Sequence, residues 1–189
     1  TLSRKALKAK GATLIDGAEA KLAVYQVGAS VHASDWRATN NAGVCLMELG
    51  RMNQAAEQFE AARELKSDAL VMNNLGAIAR MRGDLSSAQS LLGAASAAGS
   101  DVQYNKALVQ IQQGNYSGAV SNMSGANTAN AALAKLLNGD ANGAKTTMDN
   151  CDDNSAVATY IRAIIAAHLG NDADAASLLD AAVEKDASL

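Results

Sequence analysis

The amino-acid sequence predicts an all-α protein made of tandem antiparallel helix pairs. The 189 residues include no proline and only 3% aromatic residues, whereas hydrophobic residues account for 49%. Alanine and leucine carry most of this apolar content and favour helices, and the runs of β-branched and aromatic residues that are typical of strands are missing. A glycine-centred pattern also recurs along the chain, which indicates an internal repeat. We therefore expect helices throughout and almost no sheet.

Five glycines mark the turn inside each predicted pair. Each follows an apolar helical run and precedes Arg, Asp or Asn, and glycine readily takes the left-handed conformation that ends a helix. These residues are Gly50, Gly83, Gly114, Gly139 and Gly170. Their spacings of 33, 31, 25 and 31 residues define the repeat. The short third spacing predicts that the fourth pair has a short first helix.

The second helix of each pair has a common packing pattern. An alanine follows the turn glycine by five residues, a large apolar residue comes four residues later, and a small residue comes three further on. The alanines are Ala55, Ala88, Ala119, Ala144 and Ala175; the large residues are Phe59, Leu92, Met123, Met148 and Leu179; the small ones are Ala62, Ala95, Ala126, Cys151 and Ala182. Offsets of three and four place all of them on one helical face. The small residues should let the helices approach closely, with the large one filling the gap.

Helix-capping residues divide the chain into units. We expect N-caps at Asp35, Asp68, Asp101, Thr128 and Ser155. The units are then 35–68, 69–100, 101–127, 128–153 and 154–189, forming one continuous stack. Residues 1–34 are predicted to be a degenerate helical repeat or cap, in which Leu2 to Gln26 form two short helices interrupted near Gly11 and Gly17.

The repeat resembles the tetratricopeptide repeat (TPR) family. The segments Asn41-Ala42-Gly43 and Asn73-Asn74-Leu75-Gly76, with the turn glycine, alanine and large apolar residue after each, match its pattern. The later units replace the earlier glycine by Ala107, Ala132 and Ala163, and the family's final proline is missing. Over about residues 35–189 the resemblance implies a TPR-like α-solenoid of antiparallel helix pairs forming a right-handed superhelix.

The resemblance also implies a protein or peptide partner on the concave face. The family's ligand-facing asparagine corresponds to Asn41 and Asn74, and Asn105 occupies the equivalent place in the third unit. An amide there can donate to and accept from a peptide backbone. The alternative interpretation is that these asparagines tie adjacent helices together. Further candidates on this face are Arg37, Arg80, Tyr104 and Tyr160. Arg37, Asn41 and Asn74 fit part of the family's clamp for a terminal carboxylate, but Asp101 and Asn105 stand where further basic groups would be needed.

Other classes of function have little support in the sequence. His32 and His168 are too isolated for a metal site or a catalytic triad, and no phosphate-binding loop is present, so we expect no enzyme, metal or cofactor. The run Asp149 to Asn154 lacks the glycine and glutamate of a calcium loop. The net charge of −3 is well mixed, which argues against nucleic acid. No apolar stretch is long enough to span a bilayer. Cys45 and Cys151 are interpreted as buried free thiols.

We therefore expect a non-catalytic protein-binding or peptide-binding scaffold. The alternative is an architectural spacer or assembly segment of a larger bacterial cell-envelope protein, whose TPR segments this chain is similar to. The chain ends at Ala187-Ser188-Leu189 without a polar capping helix, so self-association through that end is a further expectation. The envelope resemblance favours the periplasm or outer membrane, with the cytoplasm as the alternative.

Overall fold

The computed structural model describes residues 17–95 and 99–188, and in these ranges it contains eleven α-helices and no strand. In chain order they are α1 (Ala18–Val31), α2 (Trp36–Glu48), α3 (Met52–Leu65), α4 (Ala69–Met81), α5 (Leu85–Ala94), α6 (Ser100–Gln112), α7 (Tyr116–Asn122), α8 (Ala129–Leu137), α9 (Ala141–Asp149), α10 (Ala156–His168) and α11 (Asp172–Lys185). The all-α prediction is confirmed. The short helix α8, with 9 residues against 13 in α2, α4, α6 and α10, confirms the short first helix of the fourth pair.

The five turn glycines have the predicted left-handed conformation, with φ between 72° at Gly50 and 88° at Gly139. At the first turn, Gly50 N donates to Met47 O at 2.9 Å and Arg51 N donates to Leu46 O at 2.8 Å. The same two bonds recur at the other four turns. This Schellman arrangement satisfies the last carbonyls of the first helix and starts the second helix two residues after the glycine.

Four of the five predicted N-caps are confirmed. The side chains of Asp35, Asp68, Thr128 and Ser155 each accept a hydrogen bond from a backbone N–H two or three residues further on. The prediction for Asp101 is wrong, because α6 begins at Ser100 and Asp101 lies in its first turn. Gly99, with a φ of 79°, turns the chain into the helix before Asp101 is reached.

The predicted burial of the alanine and the large residue is confirmed in the first four units and wrong in the fifth. Ala55, Ala88, Ala119 and Ala144 are completely buried, and the large residues after them are at most 4% exposed. In the fifth unit Leu179 is 43% exposed, although Ala182 is completely buried. Helix α11 packs on α10, and the side of α11 that carries Leu179 faces solvent.

The small residues Ala62, Ala95 and Cys151 are buried, but Ala126 is half-buried. Because α7 ends at Asn122, the single helical face predicted for the third unit is wrong at Met123 and Ala126.

The N-terminal prediction needs correction where it can be compared. One uninterrupted helix, α1, runs from Ala18 to Val31 and packs against α2, whereas the sequence predicted a short helix ending at Gln26. Its Leu22 is buried in the same core as Trp36. The other predicted short helix, before Gly17, lies outside the described residues.

The chain divides into two compact units, residues 1–105 and 106–189. The core of the first contains Trp36, Leu46, Phe59, Val71 and Ile78, and a core cluster of the second contains Leu136, Met148, Cys151, Ile161 and Ile165. Cys45 and Cys151 are both buried and free, as predicted. Burial raises the pKa of the Cys45 thiol, with a smaller contribution from Glu48. In the described part of the chain no helix is both long and apolar enough to cross a membrane.

Two glycines allow the helices of the first compact unit to approach closely. A Cβ added at Gly43 would lie 2.6 Å from Cε1 of Phe59, and one added at Gly76 would lie 2.7 Å from Cγ of Leu92. Phe59 and Leu92 are both completely buried. The glycine in the first helix and the large residue in the second are therefore complementary in each of these pairs.

An Ala88→Leu variant tests this register. Ala88 is completely buried, so three additional carbon atoms have no space, and we expect the free energy of unfolding to fall by about 1–3 kcal/mol. Urea denaturation followed by circular dichroism measures the change. A variant as stable as the parent would show that Ala88 does not face the helix pair.

Candidate functional site

Five asparagines from α2, α4 and α6 form two hydrogen-bonded groups, which we together call the asparagine ladder: Asn40, Asn41 and Asn74 in one group, and Asn73 and Asn105 in the other. Asn74 Nδ2 donates to Asn40 Oδ1 at 2.9 Å, and Asn105 Nδ2 donates to Asn73 Oδ1 at 2.9 Å. A longer bond of 3.4 Å joins Asn40 Nδ2 to Asn41 Oδ1. Each 2.9 Å bond connects the first helix of one repeat to the first helix of the next.

The repeat itself aligns the ladder. Asp35 and Asp68 cap α2 and α4 at the same register, and Asn40 and Asn73 each follow their cap by five residues. Equivalent residues 33 positions apart therefore occupy the same place on successive first helices. Gly43 and Gly76, three residues after Asn40 and Asn73, keep each first helix close to its partner.

Burial divides the ladder into two kinds of residue. Asn40 and Asn73 are buried, with 6% and 7% of their surface exposed. Asn41, Asn74 and Asn105 are half-buried. A side-chain amide has two N–H donors and a carbonyl oxygen that can accept two bonds. Among the described residues no hydrogen bond engages Asn41 Nδ2 or the Oδ1 atoms of Asn74 and Asn105. The half-buried members are therefore held in place and retain hydrogen-bonding capacity.

The other predicted site residues lie at different distances from this ladder. Arg37 is exposed at the start of α2, with its guanidinium carbon 4.9 Å from the centre of the Trp36 ring and Nη1 3.9 Å from Asp35 Oδ1. Tyr104 is half-buried on α6, adjacent in sequence to Asn105. Arg80 is half-buried on α4, and its buried Nε has no hydrogen-bond partner among the described residues. Tyr160 lies on α10 and belongs to the second compact unit.

Asn40 and Asn73 were not predicted as part of the site. Their signal was present in the sequence, since the pair Asn40-Asn41 recurs 33 residues later as Asn73-Asn74. Two adjacent asparagines in a helix point in directions about 100° apart. Adjacent asparagines can therefore reach different helices: Asn74 bonds to Asn40 on α2, whereas Asn73 bonds to Asn105 on α6. The alternative interpretation of the sequence was that asparagines hold adjacent helices together. Asn40 and Asn73 take part in such contacts, because their Oδ1 atoms accept the hydrogen bonds from Asn74 and Asn105.

Several charged side chains lie around the start of α4. Lys66 Nζ lies 2.9 Å from Asp68 Oδ2 and 5.3 Å from the centre of the Trp36 ring. The hydrogen bond from Lys66 lowers the pKa of the Asp68 carboxyl; the Leu70 N–H and the charges of Lys66 and Arg37 act in the same direction, and burial opposes them. Asp68 is therefore more acidic in the folded protein than in the unfolded chain.

This shift predicts a pH dependence of stability. Because the folded-state pKa of Asp68 is lowered, its charge stabilises the fold above the unfolded pKa of about 3.9, and this contribution is lost as the pH falls through the folded value. Asp68→Asn keeps a capping side chain and removes the charge. We expect the variant to melt at a lower temperature than the parent at neutral pH, and the difference to shrink below about pH 4. An unchanged difference at acid pH would exclude an electrostatic contribution.

The acidic run from Asp149 to Asn154 forms the end of α9 and the loop between α9 and α10. Arg162 Nη1 and Nη2 donate to Asp153 O and Cys151 O, each at 2.9 Å, and Lys185 Nζ donates to Asn154 O at 2.9 Å. Hydrogen bonds from Ser155 lower the pKa of Asp153. Side-chain cations thus bind three backbone carbonyls of this loop and hold it against α10 and α11. In residues 17–95 and 99–188 no group of three or more His, Cys, Asp or Glu side chains is arranged to hold a metal.

Comparisons with known proteins agree with this architecture. The family model of the tetratricopeptide repeat matches residues 16–69 and 151–189. The APC/C hetero-tetramer Cut9–Hcn1 is similar in structure, with a TM-score of 0.80 and 14% identity over 92% of this chain and 40% of that chain. The type IV pilus biogenesis factor PilW has a TM-score of 0.72 and 19% identity, over 89% of this chain and 84% of that chain.

A third similar structure is YrrB, described as a TPR protein with an unusual peptide-binding site. Its TM-score is 0.58 and its identity 17%, over 86% of this chain and 92% of that chain. This chain spans less than half the length of the Cut9–Hcn1 chain that it matches. No curated protein matches the sequence.

Antiparallel helix pairs that repeat one turn and one packing pattern define a helical-repeat protein of the α-solenoid class. The chain contains tetratricopeptide repeats, matched over residues 16–69 and 151–189, which confirms the resemblance seen in its sequence. The family model matches the first and last units, and the units between them have the same turn glycine and buried alanine.

Proposed function

We propose that this protein is a non-catalytic scaffold that binds an extended peptide or partner segment along the asparagine ladder of its first unit. The observation that carries the proposal is the pair of 2.9 Å bonds from Asn74 to Asn40 and from Asn105 to Asn73. They fix the half-buried amides of Asn74 on α4 and Asn105 on α6, and a 3.4 Å bond from Asn40 holds Asn41 on α2. Tetratricopeptide repeats in general serve as scaffolds for other proteins, and the similarity to a peptide-binding TPR protein supports this role.

The chemistry of the ladder suits a peptide backbone. Asn41 can donate through Nδ2, whereas Asn74 and Asn105 can accept through Oδ1. A backbone presents alternating N–H and C=O groups, so donors and acceptors along one face can bind it with little dependence on side-chain sequence. Tyr104 and Arg80, on the same helices, would contact partner side chains, since Tyr and Arg are common interface anchors. Arg37 at the start of α2 would add a cation at one end.

Alanine substitution of Asn41, Asn74 and Asn105 tests the proposal. A partner is first captured from a native extract and its binding segment is mapped. Isothermal titration calorimetry with that segment then compares each variant with the parent. Loss of one hydrogen bond should weaken binding about threefold to tenfold. Asn142 is an exposed asparagine of the second compact unit, and the control variant Asn142→Ala should bind the segment like the parent.

Thermal melting distinguishes a role of these asparagines in partner binding from a role in holding the helices together. Asn41 has only the 3.4 Å contact, so its variant should melt close to the parent and still bind less well. If all three variants bind the segment with parental affinity, the ladder serves only to hold the helices together, and the proposed site is wrong.

A second function is proposed from a different part of the chain: an architectural or assembly segment of a larger bacterial envelope protein, self-associating through its last helices. The exposed apolar side chains of Val157 and Tyr160 on α10 and of Leu179 and Val183 on α11 support this proposal. The structural similarity to PilW is compatible with an envelope location.

A further inference from the structure

Three residues lie one helical turn before the half-buried asparagines of the ladder, and we call them the first-turn row: Arg37, Leu70 and Asp101. Each is the second residue of its helix, α2, α4 or α6, and precedes the half-buried asparagine of that helix by four residues. Residues four apart lie on the same face of a helix. The side chain of Arg37 is 68% exposed, Leu70 is 48% exposed, and Asp101 is also exposed. The first-turn row therefore runs beside the ladder and is open to a partner.

The hydrogen bonds of the ladder keep the first-turn row continuous. The two 2.9 Å bonds join α2 to α4 and α4 to α6 one turn beyond the row. At the starts of α2 and α4, Lys66 Nζ lies 5.3 Å from the centre of the Trp36 ring. Arg37, Leu70 and Asp101 therefore follow one another across three neighbouring helices.

The row changes in chemical character from one helix to the next: a cation, an apolar side chain and an anion. The guanidinium carbon of Arg37 lies 4.9 Å from the centre of the Trp36 ring, which positions the cation. Its ion pair with Asp35 is 3.9 Å long, beyond hydrogen-bond distance, so its N–H donors can bind a partner's carboxylate. The backbone N–H of Leu70, not its side chain, is bonded to the N-cap of α4. Asp101 forms no ion pair with another described residue.

The spacing of the helices suits one extended peptide conformation. Packed helices lie about 8–10 Å apart. A peptide in the polyproline II conformation has three residues per turn and a rise of about 3.1 Å per residue, so its side chains repeat on one side about every 9 Å. Every third side chain of such a peptide would therefore meet the next member of the row.

We infer that the partner segment is an extended peptide with an acidic, an apolar and a basic residue at three-residue intervals, which face Arg37, Leu70 and Asp101 respectively. The asparagines of the ladder hold the peptide backbone, and the first-turn row selects its side chains. The opposite charges at the two ends of the row also fix the direction in which the peptide lies across the helices. This inference rests on the peptide-binding function proposed above.

Two peptides of identical composition test the inference. Both have blocked ends and a fluorescent label, with proline and alanine between the recognition residues to favour the extended conformation. One has the order Glu, Leu, Lys at three-residue intervals, and the other has the order Lys, Leu, Glu. Their net charges are equal, and we expect fluorescence anisotropy to show that the parent binds one order about tenfold more tightly. Added salt should reduce this preference, because exposed ion pairs are screened.

Exchanging the two charges of the row should invert the preference. Arg37→Glu with Asp101→Lys leaves the net charge of the protein unchanged and should bind the other order about tenfold more tightly, a result that loss of folding cannot produce. Arg37→Gln alone should reduce the parental preference about threefold. Leu70→Ala should weaken the binding of both orders about fivefold, because less apolar surface is buried. Leu65→Ala, at an exposed leucine of α3, should leave both affinities unchanged.

Equal binding of both orders, no binding of either, or an unchanged preference in the exchanged variant would overturn this inference. The proposed function is judged separately, by the mapped partner segment and the ladder variants. Asn74→Ala should weaken the binding of both orders to a similar extent. Peptide binding that this variant leaves unchanged would place the peptide away from the ladder and contradict the proposed function as well.

Discussion

A Phe59→Ala variant is expected to lose about 3–5 kcal/mol of its free energy of unfolding. Phe59 is completely buried in the core of the first unit and is the only phenylalanine in the chain. Its ring fills the space beside Gly43, so alanine would leave a cavity that the surrounding helices cannot close without moving. Urea denaturation followed by circular dichroism and Trp36 fluorescence measures the loss. Trp36 is the only tryptophan and lies in the same core, so its fluorescence reports on this unit.

Leu65→Ala is the matched control for Phe59. Leu65 lies at the end of the same helix and is 46% exposed. Its replacement should change the stability by no more than about 0.5 kcal/mol. A loss below about 1 kcal/mol for Phe59→Ala would mean that Phe59 does not fill the helix pair.

The second expected result is that Gly43→Ala lowers the free energy of unfolding in the parent and raises it in the Phe59→Ala variant. In the parent, Gly43→Ala should cost about 1–3 kcal/mol, because the new methyl group would meet the Phe59 ring at 2.6 Å. In the Phe59→Ala background the same change should stabilise the protein by up to about 1 kcal/mol, because alanine is a better helix former than glycine. A double-mutant cycle with the four proteins measures the coupling. Equal effects of Gly43→Ala in both backgrounds would contradict the contact.

The chain itself contains the compensated combination. In the third and fourth units alanine replaces the packing glycine, as Ala107 and Ala132, and methionine replaces the large rigid residue, as Met123 and Met148. All four are buried. Methionine is unbranched and flexible, so it can give way to a methyl group that a phenyl ring would meet. A Gly43→Ala, Phe59→Met double variant should therefore be more stable than Gly43→Ala alone.

The fold could be predicted from the sequence because its signals are local. A glycine with positive φ and an N-cap are determined by a few consecutive residues, and periods of three and four assign a helical face. Leu179 shows the limit of this reasoning. Its position in the repeat is that of a buried residue, but burial also requires a neighbouring element on that side, and a local pattern cannot supply one. The N-cap prediction for Asp101 was wrong for a similar reason, because the turn at Gly99 starts the helix one residue before Asp101.

The candidate site was predicted less completely. Asn41, Asn74 and Asn105 follow from the family pattern; in the structure Asn41 and Asn74 both bond to Asn40, whereas Asn105 bonds to Asn73. The buried Asn40 and Asn73 were not predicted, because their role depends on a partner more than 30 residues away on another helix. Tyr160 was selected by its place in the last repeat, yet it belongs to the second compact unit. The position of a residue within a repeat predicts the face of the helix on which it lies. Whether residues from different repeats form one binding site depends on the contacts between the repeats.

Side-chain amide resonances provide the most direct measurement of the proposed binding. In a two-dimensional 15N NMR titration with the mapped partner segment, the Nδ2 resonances of Asn41, Asn74 and Asn105 should shift together and saturate at the affinity found by calorimetry. Those of Asn142 should remain unchanged. Saturable shifts confined to the exposed face of α3, at Glu57 and Glu64, or to α10 and α11, with the ladder unaffected, would contradict binding along the ladder.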